Sequence, residues 1–155
     1  MSTDKDILLG EIRYAERLCE RTARLYRHIQ AANVFLSVLG GSAVISAVSG
    51  SLPKWVPLAG GFVFAVFGAL NLAIRPADKA AANEADSKRY TKLRADAQSM
   101  TTDELRAGIE KARQSDIQEV ESLREVAYND MVREIGREDQ SIALLPYQKV
   151  LRAIA

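Results

Sequence analysis

Hydrophobic positions follow two patterns in this chain. In residues 5–28, and again beyond residue 78, they recur at helical spacing among charges, whereas between Ile29 and Ile74 they run together almost without charge. The stretch VPLAGGFVFAVFGALNLAI, residues 56–74, contains no charged residue, and none interrupts the run from Trp55 to Ile74. IQAANVFLSVLGGSAVISAVSGSLP, from Ile29 to Pro53, is also free of Asp, Glu, Lys and Arg, so only Lys54 separates two uncharged runs. At ~1.5 Å rise per residue, crossing ~30 Å of hydrocarbon takes about 20 apolar residues, whereas a soluble core helix usually carries charge on its outer face. Around the turn SGSLPKWVP the two runs therefore predict a transmembrane helical hairpin, with spans at about residues 30–49 and 55–74. A soluble hairpin buried on all sides is the alternative.

The flanks predict amphipathic helices. Leu8, Ile12, Ala15, Leu18, Cys19, Leu25 and Tyr26 lie at helical spacing in a helix that runs into the first span. Glu16 with Arg13, and Glu20 with Arg24, sit three or four residues apart and predict a solvated ladder of weak ion pairs on the outer face; the alternative is that the surplus Arg beside the membrane binds anionic headgroups or a polyanion. Pro76 marks the exit from the second span. The Ala- and Lys-rich segment 78–98 then predicts a helix with a thin apolar face of Ala82, Ala85, Tyr90, Leu93 and Ala97. Thr101 three residues before Glu104 has capping-box spacing and predicts a helix over 102–113; Ser115 and Gln118 repeat the device before a stripe of Ile117, Val120, Leu123, Ala127, Met131 and Ile135 that Gly136 ends. A short helix after Pro146 carries Tyr147, Val150, Leu151 and Ile154, to face a partner or fold back. The organisation is thus 1–28 as an N-terminal amphipathic helix, 29–74 as the hairpin, 75–136 as a helical region and 137–155 as a tail helix. The fold class is an all-α membrane protein, with the spans assembled into an oligomeric bundle.

Charge adds an orientation. Arg13, Arg17, Arg21, Arg24 and Arg27 precede the spans and Arg75, Lys79, Lys88, Arg89, Lys92 and Arg94 follow them, while the loop between offers only Lys54. The positive-inside rule then puts both termini in the cytoplasm, with Trp55 as an interfacial anchor at the outer end. Averages conceal this, since the 155 residues have a net charge of only +1. Cys19 is alone and suits a reducing compartment; with one Cys and one His, His28, a single chain assembles no His/Cys zinc cluster. The charged helix before the first apolar run lacks the order of a cleavable signal. No metal or cofactor is expected.

The spans carry two further patterns. Gly61, Ala65, Ala69 and Ala73 recur every four residues and form a ridge that lets another helix approach, either the chain's own first span or a second protomer. Asn33 and Ser37 on one side of the first span, and Ser42, Ser46 and Ser49 on another, provide polarity for helix contacts or for a water-facing wall, so these five are the pore-lining candidates. Two helices enclose no channel by themselves, so conduction would require several copies about an axis. In such a ring Lys79, Lys88, Arg89, Lys92 and Arg94 would repeat below the membrane as candidates for an anionic ligand, or else simply contact lipid headgroups.

Enzymatic chemistry is not expected. The carboxylates are interleaved with Lys and Arg on outer helix faces, and neither G-x-x-x-x-G-K-[ST] nor a strand followed by G-x-G-x-x-G occurs. In its order of elements the chain resembles the SLATT family of two-transmembrane effectors associated with SMODS nucleotidyltransferases and SLOG nucleotide sensors. The resemblance rests on the Arg-rich helix ERLCERTARLYRHIQ, the close hairpin, the charged exit helix SKRYTKLRADAQ and the later helix VESLREVAYNDMVREIG. It implies a bacterial antiphage or conflict effector of the inner membrane that forms a homo-oligomeric pore gated by a nucleotide or oligonucleotide from a partner enzyme. A membrane-anchored scaffold without conduction, or a holin-like lysis protein, are the other readings. The tail beyond Gly136 lies outside the resemblance.

Overall fold

The structure, a computed structural model, describes residues 2–46, 50, 53, 55–114, 116 and 120–155. Among them are six α-helices: α1 Ser2–Ser46, α2 Trp55–Ile74, α3 Pro76–Asp96, α4 Thr102–Arg113, α5 Arg124–Glu134 and α6 Pro146–Ile154, with 3-10 turns at Glu121–Leu123 and Glu138–Gln140. No strand occurs among the described residues. The chain divides into a helical module, residues 1–25 with 79–155, and a hairpin, residues 26–78.

The module is discontinuous in sequence: the first half of α1 packs with helices that follow the hairpin. Its core joins Leu8, Ile12 and Cys19 of α1, Tyr90 of α3 and Leu105, Ile109 and Ala112 of α4, with Ala97 between the last two helices. Leu18, Leu123, Val126 and Val132 are also fully buried. The helical spacing in residues 5–28 thus marks the inward face of α1, with Ala15 at its partly buried margin. On α3, by contrast, Tyr90 is buried as expected, as is Ala97 in the turn just after the helix, but Ala85 is exposed and the buried stripe is completed by Ala80, Asn83, Asp86 and Ser87. The Asn83 side-chain amide donates to the Lys79 carbonyl at 2.8 Å, which satisfies it inside its own helix.

Local signals set several boundaries. At the start of α4 the Thr101 hydroxyl accepts from the Glu104 amide and the Glu104 carboxylate accepts from the Thr101 amide, giving the capping box its spacing predicts. These hydrogen bonds hold the Glu104 carboxyl below its ordinary range. Gly136 has φ 72°, and Arg137 N–H donates to Val132 C=O at 2.8 Å, so α5 ends in a left-handed cap that favours glycine. The start of α5 differs from expectation. Asp116 and Val120 are not helical, and the helix forms only from the 3-10 turn at Glu121, while Ser115, Ile117 and Gln118 lie outside the described residues. Asp116 accepts a hydrogen bond from the buried Tyr90 hydroxyl, which ties the segment before α5 to α3. Burial first, and then this hydrogen bond, push the Tyr90 phenol above its ordinary range.

In the hairpin α1 and α2 are antiparallel and in close contact. A Cβ added at Gly40 would lie 2.6 Å from the Gly60 carbonyl oxygen and 2.7 Å from the Phe64 amide nitrogen, so only glycine fits there. A Cβ at Gly60 would lie 2.5 Å from that of Ala43. The large side chains point elsewhere: Phe35, Val38, Leu58, Phe62 and Leu72 are exposed. Both helices contain a stretch long and apolar enough to cross a membrane, and only 11% and 6% of those two stretches are buried. A soluble core helix would be mostly buried. Arg75 closes α2 by donating its N–H to Asn71 C=O at 3.1 Å and takes a left-handed φ of 50°, after which Pro76 opens α3. The break falls at the proline the sequence marks.

Candidate functional site

The five polar positions of the first span have separate surroundings. Asn33 is buried in the hairpin; it lies seven residues before Gly40, and Asn71 lies seven after Phe64, so the antiparallel register sets the two amides at one level. Asn33 Nδ2, Asn71 Oδ1 and the Oε1 of Gln30 are buried there without a hydrogen-bond partner. Ser37 is half-buried and Ser42 exposed. The Ser42 hydroxyl donates to Val38 C=O at 2.8 Å, and that of Ser46 to Ala43 C=O at 2.7 Å. Such back-bonding makes serine tolerable in an apolar surrounding and leaves its oxygen able to accept from water or another helix. Ser49 lies outside the described residues.

The ridge on α2 lies beside the closest approach of the hairpin. Gly61 faces Val44, whose Cγ2 would be 3.6 Å from an added Cβ, while Ala65, Ala69 and Ala73 are exposed. The crossing itself uses Gly60 and the Phe64 backbone against Gly40.

The cationic candidates are distributed over the module. Lys88 pairs with Glu84 at 3.1 Å and Arg89 with the buried Asp86, each within α3. Lys79 is half-buried and its carbonyl is occupied by Asn83. Arg89 and Lys92 come together with Lys111 of α4 around a cleft of about 440 Å³ that also contains Asp96. Arg94 is elsewhere: it pairs with Glu16 at 3.2 Å and with Glu134 at 3.1 Å, and lines a second cleft of about 660 Å³ with Lys5 and Arg13 of α1. The five positions therefore do not form one patch. Lys5 and Lys111 carry no local signal, and the surplus Arg of the first helix, Arg13 among it, does not reveal that it approaches α3, because that approach is tertiary.

A seam of ion pairs ties α1, α3 and α5. Arg17 donates from Nε and Nη2 to one oxygen of Glu134, at 2.9 and 2.7 Å, and from Nη1 to Glu20 at 2.7 Å. Arg21 donates to Asp130 at 2.7 Å and to the carbonyl of Arg152 at 3.0 Å. The expected surface ladder is thus rearranged: Glu20 pairs with Arg17, and Glu16 turns inward, 4% exposed, to accept from Thr91 at 2.8 Å and face Arg94. Hydrogen bonding to Glu134 pushes the Arg17 guanidinium above its usual value. Burial opposes ionisation of Glu134, yet the hydrogen bond from Arg17 and the charges of Arg17, Arg94 and Arg13 hold its carboxyl below the ordinary range. A cleft of about 300 Å³ in this seam mixes four arginines with three carboxylates.

In α6 the inner side carries Gln148, which donates to Glu125 at 2.8 Å, while Tyr147, Val150 and Ile154 remain exposed. Asn129 secures the segment before α6: its Nδ2 donates to Ile142 C=O and its Oδ1 accepts from Ile142 N–H, each at 2.7 Å. Among the described residues no group of three His, Cys, Asp or Glu side chains is placed to hold a metal ion. Comparison with family models, with curated proteins and with solved structures finds no match to this chain. The SLATT resemblance accordingly rests on the order of elements in the sequence, and every function drawn from it is a proposal.

Proposed function

We propose that the chain is a multi-pass protein of the bacterial inner membrane, with both termini in the cytoplasm, whose hairpins assemble into an oligomeric pore controlled by the helical module. The observation that carries this reading is the inverted packing of the hairpin: glycine and asparagine inside, Phe35, Phe62 and Leu72 outside. An apolar surrounding suits those outer side chains, and a hairpin whose helices touch through glycine leaves no space between them for water or ions. Conduction then belongs to a ring of copies, with Ser42 and Ser46 facing its axis. The SLATT resemblance supplies the biological setting, an antiphage or conflict effector, and the control, a nucleotide or oligonucleotide made by a partner nucleotidyltransferase.

The test is current across planar bilayers containing the purified protein, with and without nucleotides and short oligonucleotides. Discrete steps that respond to a ligand, and that change when Ser42 and Ser46 are replaced by Leu, support the gated pore. Silent bilayers with verified insertion of an oligomer defeat it. A second reading has an observation of its own: the exposed Tyr147, Val150 and Ile154 stripe of α6 suits a membrane-anchored scaffold that presents an apolar helix face to another protein. A scaffold keeps its activity in the Ser42→Leu, Ser46→Leu variant.

A further inference from the structure

We propose that the cleft between the first half of α1 and α3 binds a phosphate-bearing anion through Lys5, Arg13 and Arg94. This goes beyond the proposed pore and stands whether or not the hairpin conducts. Three cationic side chains from two helices line this cleft of about 660 Å³, and no lining residue is acidic. The other two clefts differ on that point, since one includes Asp96 and the other Glu20, Asp130 and Glu134. An anion among them would meet donors from both helices, Arg94 being paired as well with Glu16 and Glu134 behind the cleft.

The donors are held in place and not all spent. Lys5 Nζ donates to Met100 C=O at 2.8 Å, which fixes the head of a flexible side chain at the cleft. Arg94 Nη1 lies 3.2 Å from Glu16 and 3.1 Å from Glu134, so those carboxylates anchor the guanidinium. Arg13 also lines the cleft, and the donors it can offer there are its terminal Nη1 and Nη2 groups, its Nε being buried. Thr91 and Gln98 add polar groups to the wall and Leu9 an apolar one.

Phosphate fits this set better than a carboxylate, because it offers several acceptor oxygens and up to two charges to donors arriving from different directions. The cavity is also within the size range of small-molecule pockets, roughly 300–1,000 Å³, so the phosphate would carry an organic body. Two sources share this chemistry, a soluble phosphorylated compound and a lipid headgroup.

The experiment is calorimetric titration of inorganic pyrophosphate into the full chain in phosphatidylcholine nanodiscs. Wild type is expected to bind with an affinity that falls as salt rises, Arg13→Gln and Lys5→Gln to weaken binding at least tenfold, and Lys149→Gln, at an exposed position of α6 outside the cleft, to leave it unchanged. Lys5→Gln keeps the test decisive should Arg13→Gln fail to fold, as judged by circular dichroism. No binding by wild type, or equal binding by folded Arg13→Gln or Lys5→Gln, overturns the proposal. With the site established by those variants, adding phosphatidic acid to the nanodisc separates the sources: loss of pyrophosphate binding identifies a lipid headgroup, and unchanged binding a soluble ligand. Bilayer currents are measured apart, so failure of the anion site and failure of the pore are distinguishable.

Discussion

The module and the hairpin are packed in opposite senses. In the module Ile12, Leu18, Leu105, Leu123 and Val126 are buried, and the charged side chains lie outside or are paired, the buried Glu16 and Asp86 included. In the hairpin the buried positions among the described residues are Asn33, Gly40, Gly60 and Pro76, while Phe35, Leu58, Phe62 and Leu72 are exposed. Helical periodicity alone does not say which face turns inward; the surrounding medium does. Water drives large apolar side chains together, so the module hides them. An apolar medium offers no such drive, and contact then depends on how closely two backbones approach.

The sharpest way to break this comparison is to truncate one large apolar residue in each region. Ile12→Ala removes fully buried atoms and should destabilise the module by about 2–5 kcal/mol. Leu72→Ala, at a position 79% exposed, should change stability in detergent by no more than about 0.5 kcal/mol. Thermal melts of both variants in the same micelle decide it, and an equal loss at Leu72 would mean that the hairpin has a core of the ordinary kind.

Adding a methyl group sharpens the other half. Gly40→Ala drives a Cβ into backbone atoms of α2 that no rotamer change can move, so a loss of about 1–3 kcal/mol is expected. Gly61→Ala meets only the Val44 side chain at 3.6 Å and should be close to neutral. Titration of SDS into mild-detergent micelles, followed by helix signal, ranks the two. Equal sensitivity would show that the Gly40 crossing does not hold the hairpin.

These positions also show where sequence is informative. Thr101 with Glu104, Pro76 and Gly136 are local signals, and the structure has helix boundaries at each because capping and φ preferences act over a few residues. The two apolar stretches were legible from length alone. Glu16 was not: its spacing from Arg13 suits a surface pair, and only Thr91 and Arg94, far along the chain, draw it inward. The same limit hid the cationic cleft, since Lys5 and Arg13 meet Arg94 only after the two ends of the module pack together. The Gly61 ridge was visible as a column of small residues, but the column does not reveal which neighbouring glycine, Gly60, meets the facing backbone. The cap at Thr101 gives a quantitative check on the local class: Thr101→Ala should cost the module about 1 kcal/mol and leave the hairpin unchanged, read by the same melts.

The smallest expected effect concerns the seam between α1 and α5. Arg17 and Glu134 are partly exposed, at 34% and 29%, so solvent screens their attraction and Glu134→Gln should cost about 0.5–1 kcal/mol at neutral pH. Its pH dependence is the sharper signature. The Glu134 carboxyl lies below its ordinary value of 4.5 in the folded module, so its contribution is present above that value and is lost as pH falls through the lower, folded value. Wild type should therefore lose stability on acidification from about pH 5, and Glu134→Gln should show a shallower decline. The hairpin contains no described carboxylate other than Asp78, which pairs with Arg75 at 2.6 Å with both side chains more than half exposed, so its SDS resistance should vary less over the same range. An acid-sensitive hairpin beside an acid-insensitive module would reverse the comparison, because it would place the charges that matter in the region built from glycine and apolar side chains.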